Sequence, residues 1–340
     1  MASDAVVLTV PGPNGDREVR VSSPGRVLWP DLGITKLDLA NYFIAVGEAF
    51  LRANGDRPVS LQRFGGGIDG EQFFSKNPPK GTPDYVRAVD VPYPSRRVHP
   101  QLVLDEPAAV VWAAQMNTVV FHPWASQAEA PDFPDELRID LDPQPGTDFG
   151  DAVAAALELR KVLKDGGLDA FVKTSGNRGV HVFAAIAPEH EFLEVRHAVI
   201  AIARELERRM PDRVTTAWWK EERGARIFVD FNQANRDRTM AGAWSPRALP
   251  RASVSLPVTW DALPDVDPAT HTVLTVPGRL SAEGDPWEAL HASAGPSIAP
   301  FLEWWERDVA DGLGELPFPP DFPKMPGEPP RVQPSRARKP

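Results

Sequence analysis

The chain has 340 residues, enough to bury a large core in one domain or two. It is 42% hydrophobic and 25% charged, as ordinary globular proteins are, and its lack of any cysteine excludes disulfides, thiolate metal sites and cysteine nucleophiles. With 47 acids against 37 bases the net charge is −10, which argues against indiscriminate binding to phosphate backbones but leaves room for a local basic groove.

The N-terminus, MASDAVVLTVPGPNGDREV, carries an early acid and lacks the basic, apolar, small-residue succession of a signal peptide. The longest stretch free of Asp, Glu, Lys and Arg, residues 107–128, is interrupted by Gln115, Asn117, His122 and Pro123, so no membrane span and a cytoplasmic location are expected. Residues 6–10 and 18–21 are predicted strands around a Pro/Gly turn. Arg26 and Lys36 flank the entry to the first helix, which Thr35-Lys36-Leu37-Asp38 opens as a capping box and which Leu39, Phe43, Val46 and Phe50 make apolar on one side. By spacing alone those two bases are solvated surface.

Residues 59–64 form a predicted strand ending in Gly65-Gly66-Gly67. In Phe73-Phe74 adjacent rings on a strand point to opposite faces, so an exposed ring beside Lys76 can stack on a base, or both can be buried between layers. Residues 83–100, with Arg87, Arg96 and Arg97, are expected as a strand plus a basic loop. A helix over residues 107–115 and a strand over 118–121 lead to His122, a lone histidine and by itself more plausibly structural.

Leu137-Arg138-Ile139-Asp140-Leu141-Asp142-Pro143 alternates for one strand length, so Asp140 and Asp142 share a face opposite the apolar residues. Carboxylates held side by side repel unless a cation sits between them, and hard Mg²⁺ or Mn²⁺ suits their oxygens. Asp148 or Thr147 then caps a helix to Lys164. Residues 171–174, 175–179 and 180–183 follow as strand, glycine-rich turn and strand. The turn's backbone N–H groups with Ser175, Arg178 and His181 suit a triphosphate, although no Walker sequence is present.

A helix is predicted over residues 192–209, and an exposed loop over 217–226. Asp230 stands in an apolar strand, residues 227–231, where an unpaired carboxylate is expensive and a cation is required. Gln233, Arg236, Arg238 and Arg247 follow it. Further helices are expected near 286–291 and 300–313, and the Pro-rich, basic segment 314–340 is predicted to be disordered.

The ordered succession DLDP (140–143), TSGNRGVH (174–181), FVDFNQ (228–233) and SPR (245–247) resembles the polymerase domain of bacterial ligase D, a branch of the archaeo-eukaryotic primase superfamily, over residues 23–263. The resemblance implies an α+β primase-like core of two sheets flanked by helices: one catalytic domain over 1–313, divided into an N-terminal α/β segment 1–135, a metal-binding core 136–263 and C-terminal helices 264–313. The chain looks like a stand-alone member, with no ligase or phosphoesterase module.

As the resemblance has it, Asp140, Asp142 and Asp230 hold two Mn²⁺ or Mg²⁺ ions, and Ser175, Arg178, His181, Gln233 and Arg247 contact an NTP or dNTP with His122 at its sugar. Arg26 and Lys36 match a pocket for the DNA 5′-phosphate, and Phe73 and Phe74 match an aromatic pair that stacks on the template. The implied activity is templated addition of nucleotides, ribonucleotides preferred, to short gaps in broken or gapped DNA during excision repair or non-homologous end joining. A separate DNA ligase and Ku are implied partners, and a nucleoid-associated place in the cytoplasm follows.

Gln62 stands where relatives can carry a basic residue, Arg26 and Arg178 where lysine is frequent, and Glu221-Glu222 makes one loop more acidic, which weakens the case for bridging two DNA ends. Two other classes fit parts of the pattern. A nucleotide-sugar glycosyltransferase does not need the Phe pair or the Arg26/Lys36 pair, and a non-catalytic DNA gap- or end-binding module does not need three acids.

Overall fold

The N-terminal half builds outward from one amphipathic helix. A hairpin, β1 (Ala5–Val10) and β2 (Arg17–Ser22), and the short pair β3 (Val27–Trp29) and β4 (Ile34–Thr35) lead into α1 (Lys36–Asn54). The capping box forms as the sequence implies: Thr35 Oγ1 accepts from the Asp38 N–H, and the Asp38 carboxylate accepts from the Thr35 N–H. Leu39, Phe43, Val46 and Phe50 are buried, the phenylalanines edge-on to each other and to Phe121.

Under α1 lies a five-stranded sheet of β5 (Pro58–Phe64), β6 (Gln72–Ser75), β7 (Arg87–Pro92), β8 (Val98–Val103) and, after α2 (Pro107–Gln115), β9 (Thr118–Pro123). Its order is β6-β5-β8-β7, with β9 pairing β5. The computed structural model describes residues 5–13, 15–93, 97–292, 294–319 and 333–336. Where the sequence suggested one strand and a basic loop over 83–100, two antiparallel strands stand, and Arg96 lies outside the described residues.

The second sheet is assembled from β10 (Glu136–Pro143), β11 (Phe171–Thr174), β12 (Val180–Ala185), β13 (Val214–Thr215), β14 (Ile227–Asp230) and β15 (Pro257–Val258). Its order is β13-β14-β10-β12-β11-β15, antiparallel except for β13 with β14. Helices α3 (Phe149–Asp165) and α4 (Phe192–Arg209) join its strands, and α5 (Val276–Glu283) and α6 (Ala299–Ala310) follow. The fold is thus mixed α and β, as expected, and one apolar cluster runs through both sheets.

Three expectations fail for tertiary reasons. Residues 286–291 form a turn rather than a helix, because buried Trp287 reaches across to donate its indole N–H to the Val172 carbonyl. The 217–226 loop is not simply exposed: Trp218 and Arg223 are buried around a 3₁₀ turn at Lys220–Glu222. The segment after Gly314 is not free of structure throughout. Arg196 on α4 binds Glu315 and the Leu316 carbonyl, and Phe318 is buried beneath its guanidinium; Arg331, Arg338 and Lys339 lie outside the described residues.

The sheets are stitched by β10. Arg138 donates to the carbonyls of Pro123 and Trp124 at the end of β9, at 2.6 and 2.5 Å, and pairs with Glu136 at 2.5 Å. Glu136 is also 3.1 Å from Arg57 and 2.7 Å from His291. Burial pushes this carboxyl up, but Arg138 and Arg57, helped by His291, outweigh it and hold the group below the usual carboxylate range. Replacing Glu136 with Gln strands the buried Arg138 guanidinium and leaves Arg57 with Asp135 alone, so urea unfolding at neutral pH is expected to show a loss of about 3–5 kcal/mol. Because the folded-state pKa is depressed, this contribution exists above the unfolded carboxylate pKa and fades as pH falls. The gap between wild type and Glu136→Gln should therefore narrow in acid, and a pH-independent gap would refute the ion-cluster account.

Candidate active site

Antiparallel register decides which side chains meet. Residues directly opposite each other in neighbouring strands share a face. Asp140 on β10 faces Asp230 on β14 on one side and His181 on β12 on the other, and His181 in turn faces Lys173 on β11. One row therefore runs Asp230, Asp140, His181, Lys173 across the sheet, with Asp142 two residues along β10 on the same face. His181 Nε2 lies 3.4 Å from Asp140 Oδ1.

The turn between β11 and β12 overhangs this row. Gly176 has φ +73°, and a Cβ there would sit 2.6 Å from Arg247 Cγ; a Cβ on Gly179 would sit 2.8 Å from the Leu141 carbonyl oxygen. Glycine is needed at both because the turn presses on its neighbours. Ser175 Oγ accepts from the N–H groups of Asn177 and Gly179, at 3.2 and 3.0 Å, which draws two backbone donors toward one point. Arg178 is exposed, and Arg247 is fixed by donating to the Ser175 carbonyl at 2.9 Å.

These groups line one cleft of about 280 Å³ with His122, Asp140, Asp142, His181 and Gln233. His122 comes from β9 of the other sheet, held where Ser245 Oγ accepts from the Phe121 N–H. Its Nε2 contacts Gln62 Oε1 at 3.1 Å, and its Nδ1 is buried without a partner. Burial, then the charges of Arg247 and Lys173, push His122 down to about 3, so the ring is neutral.

Burial first, and the charges of Asp230 and Asp142 next, push the Asp140 carboxyl up to about 8. Asp142 is raised by burial and by Asp230, while a hydrogen bond from Gln144 opposes this. Asp230 accepts from the Asn232 N–H at 3.1 Å and from Gln233 Nε2 at 2.9 Å. Among the described residues no three such ligands are already drawn together on one point. The donor chemistry nevertheless fits a hard divalent cation: three carboxylates on adjacent strands, two of them pushed toward protonation, are what a cation would relieve.

Two pairs of sequence candidates stand outside this cleft. Lys36 is 4% exposed, 3.4 Å from Ser22 Oγ, and Arg26 donates to the Gly65 carbonyl at 2.7 Å. Burial, and then Arg26, lower the Lys36 pKa, as for two bases sharing an anion site. Phe73 and Phe74 are 44% and 56% exposed, which disposes of the buried alternative; Phe73 lies under Arg63 and Phe74 packs 5.5 Å from the His122 ring.

Sequence reading missed Lys173, Gln144 and Arg223. The guanidinium of Arg223 lies 3.4 Å over the Phe228 ring, beside Asp142. Only for Lys173 was there a signal: the hairpin's register pairs it with His181 once Thr174 is set opposite Val180.

A cleft that sets clustered acids beneath a turn with converging backbone N–H groups, on this pair of sheets, belongs to a nucleotidyltransferase. More particularly, the chain belongs to the LigD primase-polymerase domain family, whose sequence pattern matches residues 35–287. It is similar to the polymerase domain of Mycobacterium tuberculosis ligase D, solved in complex with DNA, with a TM-score of 0.74 and 29% identity over 81% of this chain and 99% of that one. The multifunctional non-homologous end joining protein LigD of Pseudomonas aeruginosa is 33% identical over 276 residues, 79% of this chain and 32% of that protein. The bifunctional end joining protein LigD of Bacillus subtilis is 28% identical over 273 residues, 79% and 44%. The chain thus spans under half the length of these curated relatives. No described helix is long and apolar enough to cross a membrane.

A carboxyl raised in the folded state binds a proton that the unfolded chain has released, so Asp140 makes the metal-free protein lose stability as pH rises from about 4 through about 8. Thermal and urea melts at pH 8 should find metal-free Asp140→Asn more stable than wild type by roughly 1–3 kcal/mol. Mn²⁺ should raise the wild-type melting temperature more at pH 8 than at pH 6 and leave the variant nearly unmoved. A destabilised variant that still responds to Mn²⁺ would remove Asp140 from the metal site.

Proposed function

We propose that this chain is a DNA-dependent primase-polymerase that adds nucleotides, ribonucleotides preferred, to fill short gaps bearing a 5′-phosphate. The observation that carries the reading is that Asp140, Asp142 and His181 line one cleft with Ser175, Arg178 and Gly179 of the turn, while strand register sets Asp230 directly beside Asp140. In it Asp140, Asp142 and Asp230 would hold two Mn²⁺ or Mg²⁺ ions, whose chemistry when bound is activation of a 3′-hydroxyl and stabilisation of the pyrophosphate charge.

The protein's own groups bind and orient. Ser175, Arg178 and Arg247 receive phosphate oxygens, with the N–H groups of Asn177 and Gly179 released from Ser175 Oγ as the anion arrives. Gln233 steadies Asp230. The neutral His122 ring, with a free Nδ1 and with Phe74 against it, faces the nucleotide sugar, where a hydrogen-bonding histidine can favour a 2′-hydroxyl. Phe73 and Phe74 stack on template bases. Arg26 and the buried Lys36 bind the 5′-phosphate across the gap, since an ammonium this buried needs a nearby anion.

The named relatives are end joining proteins, which supports a role at DNA breaks with Ku and a ligase; gap filling in excision repair draws on the same chemistry. Primer extension on DNA with a short 5′-phosphorylated gap tests this. Wild type should extend in Mn²⁺ with rNTPs favoured over dNTPs, and Asp140→Ala should abolish extension while retaining gap binding. Lys36→Ala should cut the advantage of a 5′-phosphate roughly tenfold, the order of one charge-assisted contact. Extension by Asp140→Ala, or an undiminished phosphate preference in Lys36→Ala, would count against the respective assignment.

A further inference from the structure

A short basic segment, distant in sequence, is seated on the acidic loop beside the cleft. The indole N–H of Trp218 donates to the Gln333 carbonyl at 3.3 Å, and the Lys220 N–H donates to the Pro334 carbonyl at 2.8 Å. The Ser335 hydroxyl donates to the Glu221 carboxylate, and Arg336 lies 3.1 Å from the Glu222 carboxylate with its guanidinium 4.5 Å over the Trp219 ring. Residues 333–336 thus meet residues 218–222 in order. The backbone contact is the diagnostic one. Lys220 opens the 3₁₀ turn Lys220–Glu222, where a first N–H has no partner inside the turn, and the Pro334 carbonyl supplies it from outside.

The loop so covered is tied to the acids. Arg223 donates to the carbonyls of Ala217 and Trp218 and to Gln144 Oε1 at 3.4 Å, while Gln144 Nε2 donates to Asp142 Oδ2 at 3.2 Å. Trp218 is buried against Phe231, next in sequence to Asp230. Glu221 and Glu222 are thereby held beside the open end of the acid row, on a chain whose net charge is already −10. Bare carboxylates there repel a phosphate backbone that comes within a Debye length, about 10 Å at roughly 0.1 M salt. The seated segment offsets that repulsion, since residues 331–340 hold Arg331, Arg336, Arg338 and Lys339 and no acid. The Arg336 and Glu222 side chains stay 63% and 50% exposed, and such a pair is weak alone. The backbone bond, the indole bond and the cation–π contact are what seat it.

We propose that the loop Trp218–Glu222 is a docking surface for residues 333–336 of the same chain, and that the docked segment screens Glu221 and Glu222 so that DNA can lie along this side of the cleft. The docking stands on the contacts alone; the screening rests on the polymerase reading. A strap that closes a nucleic-acid site would carry negative charge into it in place of phosphate. This segment is basic and lies on the loop's acids, so it stays in place when DNA arrives.

The experiment is hydrogen exchange at the Lys220 amide in the intact chain, alone and with DNA carrying a short 5′-phosphorylated gap, beside the affinity for that DNA. Wild type should protect the amide in both states. Arg336→Glu should expose it and weaken DNA binding about fivefold at about 50 mM salt, a difference that narrows as salt rises because its origin is ionic. Combining Arg336→Glu with Glu222→Arg rebuilds the pair in reverse and should return most of the protection and the affinity. An unprotected Lys220 in wild type overturns the docking. Protection lost on binding DNA overturns the screen, as does wild-type affinity in Arg336→Glu protein whose Lys220 has become exposed. A protected Lys220 in a protein that binds no gapped DNA would remove the polymerase reading, and the screen with it, and leave the docking standing.

Discussion

Three carboxylates crowded on one face of a sheet are the problem around which this molecule is built. Register puts Asp230 directly beside Asp140, and pleating returns Asp142 to the same side two residues on. The surrounding bases moderate the field without closing on the acids. Arg223 donates to the carbonyls of Ala217 and Trp218, Arg247 to that of Ser175, and Arg178 to that of Pro143. Each guanidinium is thus anchored on backbone. The positive potential is local and fixed while the oxygens of Asp140 and Asp142 face the cleft, which is what the proposed uptake of cations and then polyanions would require.

The same strand solves a second charge problem in the opposite way. Glu136, Arg138, Asp140 and Asp142 all lie on one face of β10, and exposure rises along them from buried to open. At the closed end, Glu136 and Arg138 neutralise each other with Arg57 and His291, and Arg138 ties down the end of β9 that carries His122. At the open end no arginine among the described residues closes on the acids in this way, and His181 stands 3.4 Å from Asp140. Anchorage and chemistry are therefore two ends of one alternating pattern. A shift of β10 by a single residue would bury the acids against the helices and destroy both.

What the sequence made legible was local. The Thr35/Asp38 cap, the helix from Phe192 to Arg209 and the acids of DLDP on one strand face are set by residues within a few positions of each other, and the structure has them. The pairing of Asp140 with Asp230 joins residues ninety apart and follows from sheet order, which periodicity does not encode; the shared need for a cation suggested that they could be neighbours, and the resemblance implied it. The same limit explains the errors. Trp218, Trp287 and Phe318 are buried by partners distant in sequence, so segments that composition marks as loop or tail acquire structure. The acidity of Glu221-Glu222 likewise changes meaning in three dimensions. Ser335 donates to Glu221, and Arg336 lies over Trp219 and 3.1 Å from Glu222, so the chain's own end meets part of the charge that seemed to face DNA.

Under the gap-filling reading, two anions at opposite ends of a gap must be held at a fixed separation, although their pockets come from different sheets. The connection is short. Trp29, at the end of the Arg26 loop, donates its indole N–H to the Leu249 carbonyl at 3.0 Å, two residues beyond Arg247 in the cleft. Trp29 and Arg26 are on one strand and its entry, the Arg247 segment is bonded to Ser253 and Ser255, and both are packed over α1, whose Tyr42 hydroxyl donates to the Trp244 carbonyl. Little of this path can rotate, since its links are buried aromatic side chains bonded to backbone. The spacing between the two anion pockets is accordingly a property of the packed core and not of the loops that line them, and that rigidity would make the length of gap, rather than its sequence, what such a protein measures.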